Sequence, residues 1–191
     1  MKQYLSFILL WISASVNGQI TKNNWIVGGT LAYSNTQAKF TDAVKTRNQE
    51  FGISGNFGYF PIDKLALGGV VDMNFFREKR PEVDGTELNI NSSINGVGPL
   101  IRYYFLPIDS RVNLLSEISF LYSFARQKDR GDIINKYQSF AWNSNVGVVI
   151  FLNSSIGVEM LAGYNSYKVI NGDAKEQTIR FRIGLQIHLE K

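Results

Sequence analysis

The stretch Gly96-Val-Gly-Pro-Leu-Ile-Arg-Tyr-Tyr-Phe-Leu-Pro-Ile-Asp109 sets the tightest limit on what this chain can fold into. One parity reads Val97, Pro99, Ile101, Tyr103 and Phe105; the other reads Gly98, Leu100, Arg102 and Tyr104. Alternation with period two means a β-strand with two chemically different faces. A soluble strand would turn its wide aromatic set inward and its polar set to water. Here the apolar face ends in an aromatic pair beside a turn, and the other face carries glycine and a single arginine. Lipid outside, aromatics at the interface and a narrow polar interior explain that pattern. If it recurs along the chain, the fold is a transmembrane β-barrel.

It recurs. Trp25, Val27, Gly29, Leu31 and Tyr33 form a first apolar face, then Phe51, Ile53, Gly55, Phe57 and Tyr59 a second. Leu65 to Phe75 supplies the third strand, with Asp72 and Asn74 on its polar parity. The opening stretch is the fourth; Ile90 and Ile94 fall on its other parity, which predicts a bulge near Asn95–Gly96. A fifth strand covers Val112 to Tyr122, a sixth Phe140 to Ile150 and a seventh Ile156 to Tyr164. The last is the most regular, with Ile179, Phe181, Ile183, Leu185, Ile187 and Leu189 against Arg180, Arg182, Gly184, Gln186 and His188.

The connections alternate in kind. Phe60-Pro61-Ile62-Asp63 and Leu106-Pro107-Ile108-Asp109 are related turns 46 residues apart, and Phe151 to Ser155 is a weaker third copy. Between them lie longer polar segments at 35–47, 77–88, 126–136 and 168–176, read as loops. Short turns on one side and long loops on the other, with an even strand number, are the asymmetry of an outer-membrane barrel. The expected class is therefore all-β, an eight-stranded antiparallel up-and-down transmembrane β-barrel. A β-sandwich or a soluble lipocalin-like barrel would also alternate. Neither explains glycines on the polar parity or aromatics at both strand ends.

Residues 1–18 read as a signal peptide: Lys2 at the start, an apolar run from Leu5 to Ile12, then small residues to Gly18. That apolar run is shorter than the roughly 20 residues a spanning helix needs. Cleavage before Gln19 would leave residues 19–191 as a single barrel domain. The chain has no cysteine, which excludes disulfides and a lipidated-cysteine anchor. Without Lys2 the net charge is +3, too mild and too scattered for nucleic acid.

From about Gln19 onward the chain resembles the small outer-membrane β-barrel domain proteins abundant in Bacteroidetes, related in architecture to OmpA and OmpX barrels. The resemblance rests on Asn56-Phe-Gly-Tyr-Phe-Pro-Ile-Asp-Lys-Leu-Ala-Leu-Gly68, on Gly98-Pro-Leu-Ile-Arg-Tyr-Tyr-Phe105 and on the final alternating strand. The end, Ile187-His188-Leu189-Glu190-Lys191, departs from the terminal aromatic residue frequent in such barrels. The resemblance implies the outer membrane of a Gram-negative bacterium. It also implies contact with membrane lipid and lipopolysaccharide, and insertion by periplasmic chaperones and the barrel-assembly machinery. It specifies architecture and no activity.

Inside such a barrel the polar parity would place Asp72, Arg102, Glu117, Glu159, Arg180 and Arg182. Centring the turns makes Arg102 a near-diagonal neighbour of Glu117, and Glu159 one of Arg182, within reach of long side chains. The interior of eight strands is just wide enough for side chains. A structural ion-pair plug is the expected role, ahead of a gated polar path. Trp25, Tyr59, Phe60, Tyr103 and Phe105 are expected to form a periplasmic aromatic belt. Phe75, Phe76, Tyr122, Phe124, Phe140, Trp142 and Tyr164 would form the outer one.

His188, the only histidine, lies inward near the periplasmic end with no triad or metal partners in view. Arg130-Gly131-Asp132 matches an adhesin tripeptide, but reads as turn chemistry in a charged loop. The run from Arg77 to Glu82 reads as a solvated segment beside lipopolysaccharide phosphates. Asn91-Ser-Ser and Asn153-Ser-Ser match a glycosylation pattern by polar composition alone. The combined expectation is a monomeric, non-enzymatic barrel without cofactor, in a structural or surface-interaction role whose loop ligand is unspecified. A narrow passive porin-like channel is the alternative, and a lipid-modifying enzyme a distant third.

Overall fold

A computed structural model describes residues 20–41, 44–81, 87–129, 132–170 and 175–190. Eight strands fill it: β1 (Trp25–Thr41), β2 (Val44–Ile62), β3 (Leu65–Pro81), β4 (Glu87–Tyr104), β5 (Val112–Asp129), β6 (Asp132–Phe151), β7 (Ile156–Val169) and β8 (Lys175–Leu189). Each pairs antiparallel with its neighbours in sequence, and β8 returns to β1 to close the barrel. The expected signal peptide and the Arg130-Gly131 pair lie outside the described residues.

The strands run 14 to 20 residues, longer than the roughly 9–11 needed to cross a bilayer. The segments read as polar loops are mostly their outer ends. Thr41 pairs with Val44, Pro81 with Glu87, Asp129 with Asp132, and Lys168 with Lys175. Beyond the membrane both faces meet water, so the hydrophobic alternation stops while the backbone ladder continues. This also removes the expected bulge. β4 pairs with β3 without interruption from Tyr103 to Glu87, including Asn95 opposite Met73 and Gly96 opposite Asp72. Ile90 and Ile94 line the inside of the barrel mouth while Asn95 and Asn91 look out, because the strand has left the hydrocarbon.

The outward face of the lower barrel is apolar, with Ser116 and Ser144 as polar positions on β5 and β6. Along β5 up to Ala125 the exposed positions are Val112, Leu114, Ile118, Phe120 and Phe124, and the odd residues from Asn113 to Ala125 are buried. An arginine at Ile118, midway along that face, is expected to cost about 2–4 kcal/mol of folding free energy in a bilayer. The same change at Asn95, outward but at the outer edge, is expected to cost about 0–1 kcal/mol. Urea titrations in phospholipid vesicles check both; equal costs at the two positions would contradict the lipid face.

The lower end is sealed by its turns and by the segment before β1. Asp63-Lys64 is a tight reversal with Lys64 in the left-handed region (φ 67°). Lys64 N–H donates to Ile20 O (2.8 Å) and Asn23 N–H to Phe60 O (2.8 Å), which draws Ile20 into the barrel floor. Asn113 braces the 105–111 turn by accepting from Leu106 N–H and donating to the Leu106 and Pro107 carbonyls. Asn153 Oδ1 accepts from the N–H groups of Ser155 and Ile156 in the third turn. Gly98 of β4 is a close-approach position, since a methyl there would overlap the Phe120 carbonyl of β5.

Candidate functional site

The interior is layered. The lowest layer is apolar: Ile20, Ile26, Phe60, Ala66, Tyr104, Leu115, Val149, Phe151 and Leu161 pack as one cluster. His188 sits among its rings, with centroids 5.4 Å from Phe151, 6.0 Å from Phe60 and 6.4 Å from Tyr104. Phe60, expected in the lipid-side belt, is therefore a floor residue with 0% exposure. The reason is parity: Gly58 faces in, so Phe60 does too, while Tyr59 turns out toward Trp25 (5.1 Å between rings). Phe76 follows the same rule and lines the barrel mouth instead of the outer belt.

Directly above lies the charged layer. Arg102 of β4 is the register partner of Glu117 of β5 and is 1% exposed. Its Nε donates to Glu117 Oε2 at 2.8 Å, and its Nη2 bonds the same oxygen. Its Nη1 lies 3.1 Å from Glu159 Oε2 across the barrel. Asn145 Nδ2 donates to Glu117 Oε1 at 2.9 Å, and Gln186 Nε2 donates to Glu159 Oε2. Tyr104 O–H then donates to Gln186 Oε1 at 2.8 Å, and His188 Nε2 lies 3.2 Å from that oxygen. The result is one connected network of a guanidinium, two carboxylates and four polar partners, Asn145, Gln186, Tyr104 and His188. Low dielectric strengthens each of these bonds and makes any missing member costly.

The expected contact between Glu159 and Arg182 does not form. Their strand register is as anticipated, with Glu159 opposite Gly184 and Leu161 opposite Arg182. Gly184 decides the outcome: a Cβ there would lie 2.9 Å from Glu159 Oε1, so its absence lets Glu159 reach Arg102. Arg182 stays half-buried and makes no ion pair with a described residue. Arg180 pairs instead with Glu50 of β2 at 2.7 Å. Asp72 faces in and lines a small cavity with both arginines. The six charges thus divide into the Arg102–Glu117–Glu159 layer and an upper group of Asp72, Arg180 and Arg182.

Sequence reasoning missed Glu50, Asn145, Gln186 and Tyr104 as partners. All four extend the inward parity, which is the one signal that could have found them. Above the charged layer, Asn143 Nδ2 donates to Ser119 Oγ at 3.1 Å, and Val70, Leu100, Leu121 and Ala141 form a second apolar cluster. A vestibule of about 510 Å³ opens above that cluster, with Leu121, Ala141 and Asp72 among its lining. Among the described residues no group of three or more His, Asp or Glu side chains is placed to hold a metal ion.

On the outside, Trp25, Tyr59, Tyr103 and Phe105 ring the lower end. Tyr122, Phe124, Phe140, Trp142 and Tyr164 form contacting pairs higher up. Just beyond that upper ring the outward positions are basic. Arg77 is level with Asn91 and through it with Lys128, and Arg126 is level with Lys136.

No protein-family model matches the chain, and no curated protein matches it. Solved structures do. The outer-membrane protein OprG from Pseudomonas aeruginosa superimposes with a TM-score of 0.59 at 12% identity, over 93% of this chain and 100% of that one. Neisserial surface protein A gives 0.51 at 13% identity, over 86% and 96%. Ail, the attachment invasion locus protein of Yersinia pestis, gives 0.50 at 10% identity, over 88% and 100%. The fold is that of small outer-membrane β-barrels. The chain is an eight-stranded antiparallel barrel of the OmpA/OmpX-like architecture, with an apolar exterior and charged and apolar layers inside.

Proposed function

We propose that this protein is an integral outer-membrane barrel whose lumen is plugged and whose work is done at its outer end, in a structural or surface-interaction role. The observation that carries the reading is the buried Arg102–Glu117–Glu159 layer, linked by two ion pairs above an apolar floor. Such a layer fixes register and closure; it adds little net stability over an apolar core of similar volume. Planar-bilayer recording tests it. No conductance above leak is expected, and reproducible unitary currents would replace the plug with a narrow passive channel.

The exported chain is monomeric in this reading and needs no cofactor. Its first 18 residues are removed on export, so the membrane-extracted protein should begin at Gln19 by intact mass; a retained leader would overturn that assignment. The outward Arg77, Lys79, Arg126, Lys128 and Lys136 support contact with lipopolysaccharide phosphates at the outer leaflet. Binding to lipid A vesicles should exceed binding to neutral vesicles and weaken with salt. Salt-independent binding would remove the phosphate role. Assembly by the periplasmic chaperones and the barrel-assembly machinery completes the proposal; depletion of that machinery should leave the chain outside the membrane fraction.

A further inference from the structure

β8 is joined to β1 by only seven residue pairs, from Trp25↔Leu189 to Leu31↔Ile183. Both strands continue beyond that point, β1 along β2 to Thr41 and β8 along β7 from Lys175. From Ala32 and Arg182 outward, the two edges have no register partners in each other among the described residues. The opening starts at membrane depth. Phe181 and Ile179, on the unpaired part of β8, are 78% and 73% exposed, and Ile179 is level with Tyr164 of the upper aromatic ring. An open sheet edge within hydrocarbon is tolerated only where another group or a cavity satisfies it.

Two cavities meet at this seam. Outside runs an apolar groove of about 810 Å³ lined by Leu31, Tyr33, Val146, Met160, Phe181 and Ile183. Inside lies a small space of about 10 Å³ among Thr30, Asp72, Asn74 and Arg180. Ala32 and Arg182 line both, at the first position beyond the last β1–β8 register pair. Arg182 has no ion-pair partner among the described residues, whereas Arg180 holds Glu50. The seam therefore joins an apolar groove to a half-buried guanidinium that shares its small space with Asp72 and Arg180 but makes no ion pair with a described residue.

We infer that the β1–β8 seam binds a single-chain anionic amphiphile, with its carboxylate on Arg182 and its chain in the outer groove. A guanidinium suits a carboxylate through paired N–H donors. The groove falls within the roughly 300–1,000 Å³ of small-molecule sites. Depth selects the occupant. The headgroup of a bilayer lipid rests at the level of the aromatic ring, while Arg182 opens below it, beside Leu161. A single chain entering from the vestibule can bring its carboxylate to that depth. The site lies outward of the Arg102 layer, so it stands whether or not the lumen conducts.

Electron paramagnetic resonance on the full-length barrel in phosphatidylcholine vesicles tests this, with spin-labelled stearate as the probe. A motionally restricted stearate fraction in excess of that for spin-labelled phosphatidylcholine is expected. The excess should be lost with the spin-labelled methyl ester, lost in Arg182→Gln and kept in Arg182→Lys, with folding of each variant checked by heat-modifiable gel migration. Four results would overturn the inference: no excess for stearate, an equal excess for the uncharged ester, an excess unchanged in a folded Arg182→Gln protein, or an equal excess for spin-labelled phosphatidylglycerol. The last would assign the seam to a bilayer lipid. The ester comparison uses the wild-type protein and decides the matter even if Arg182→Gln does not fold.

Discussion

Replacing Arg102 by alanine is expected to lower the unfolding free energy in vesicles by about 3–5 kcal/mol, because it leaves buried charge without its partner. Glu117 and Glu159 would then share the lumen with no cation between them, braced only by Asn145 and Gln186. The size of the loss would not mean that the ion pair is a net stabiliser. Changing the three charges together, as Arg102→Met, Glu117→Leu and Glu159→Leu, should restore stability to at least the wild-type level, since well-packed apolar replacements of buried ion pairs are often neutral or better. Urea titration of both proteins reads the difference. A cost below about 1 kcal/mol for Arg102→Ala would mean that water reaches the pair, and the plug would be wrong.

The second large effect is at the floor. Phe60→Ala should cost about 3–5 kcal/mol, the range for removing a buried aromatic ring and leaving its cavity. Phe60 holds Tyr104 at 6.1 Å and His188 at 6.0 Å between ring centroids, and its backbone anchors the Asn23–Asn24 segment. The neighbouring Tyr59→Ala should cost clearly less, since that ring lies outward against Trp25 and its hydroxyl donates to the exposed Asn23 side chain. Reversed costs would place Phe60 in the lipid belt and Tyr59 inside.

What was legible in the sequence and what was not follow from the same physics. The eight strands could be read because inside the bilayer the two faces meet different solvents, and each residue choice records which. Past Asn95 in β4 or Arg77 in β3 both faces meet water, the record stops, and paired strand reads as loop. Glu50, the partner of Arg180, was lost for that reason: it sits just beyond Phe51, where the outward pattern ends. Phe60 was misplaced because two adjacent aromatics beside a turn resemble a belt, though the parity set by Gly58 already assigned them to opposite faces. The Arg102–Glu117 neighbours follow from turn spacing. The Arg102–Glu159 contact does not, because it joins β4 to β7 across the lumen and no period along the chain encodes that. The open upper part of the β1–β8 seam is equally silent in sequence, being a property of the two ends brought together by closure.

The chain contains no cysteine, so a single cysteine introduced anywhere in β5 reports on one position alone. Spin labels placed in turn at residues 112–125, in vesicles, measure access to oxygen dissolved in the bilayer and to a nickel complex dissolved in water. Labels at Leu114, Ile118 and Phe120 should be open to oxygen and closed to nickel, while those at Leu115, Glu117 and Ser119 should be closed to both. Nickel access at the even positions, or no alternation at all, would contradict a membrane-spanning barrel with a filled lumen.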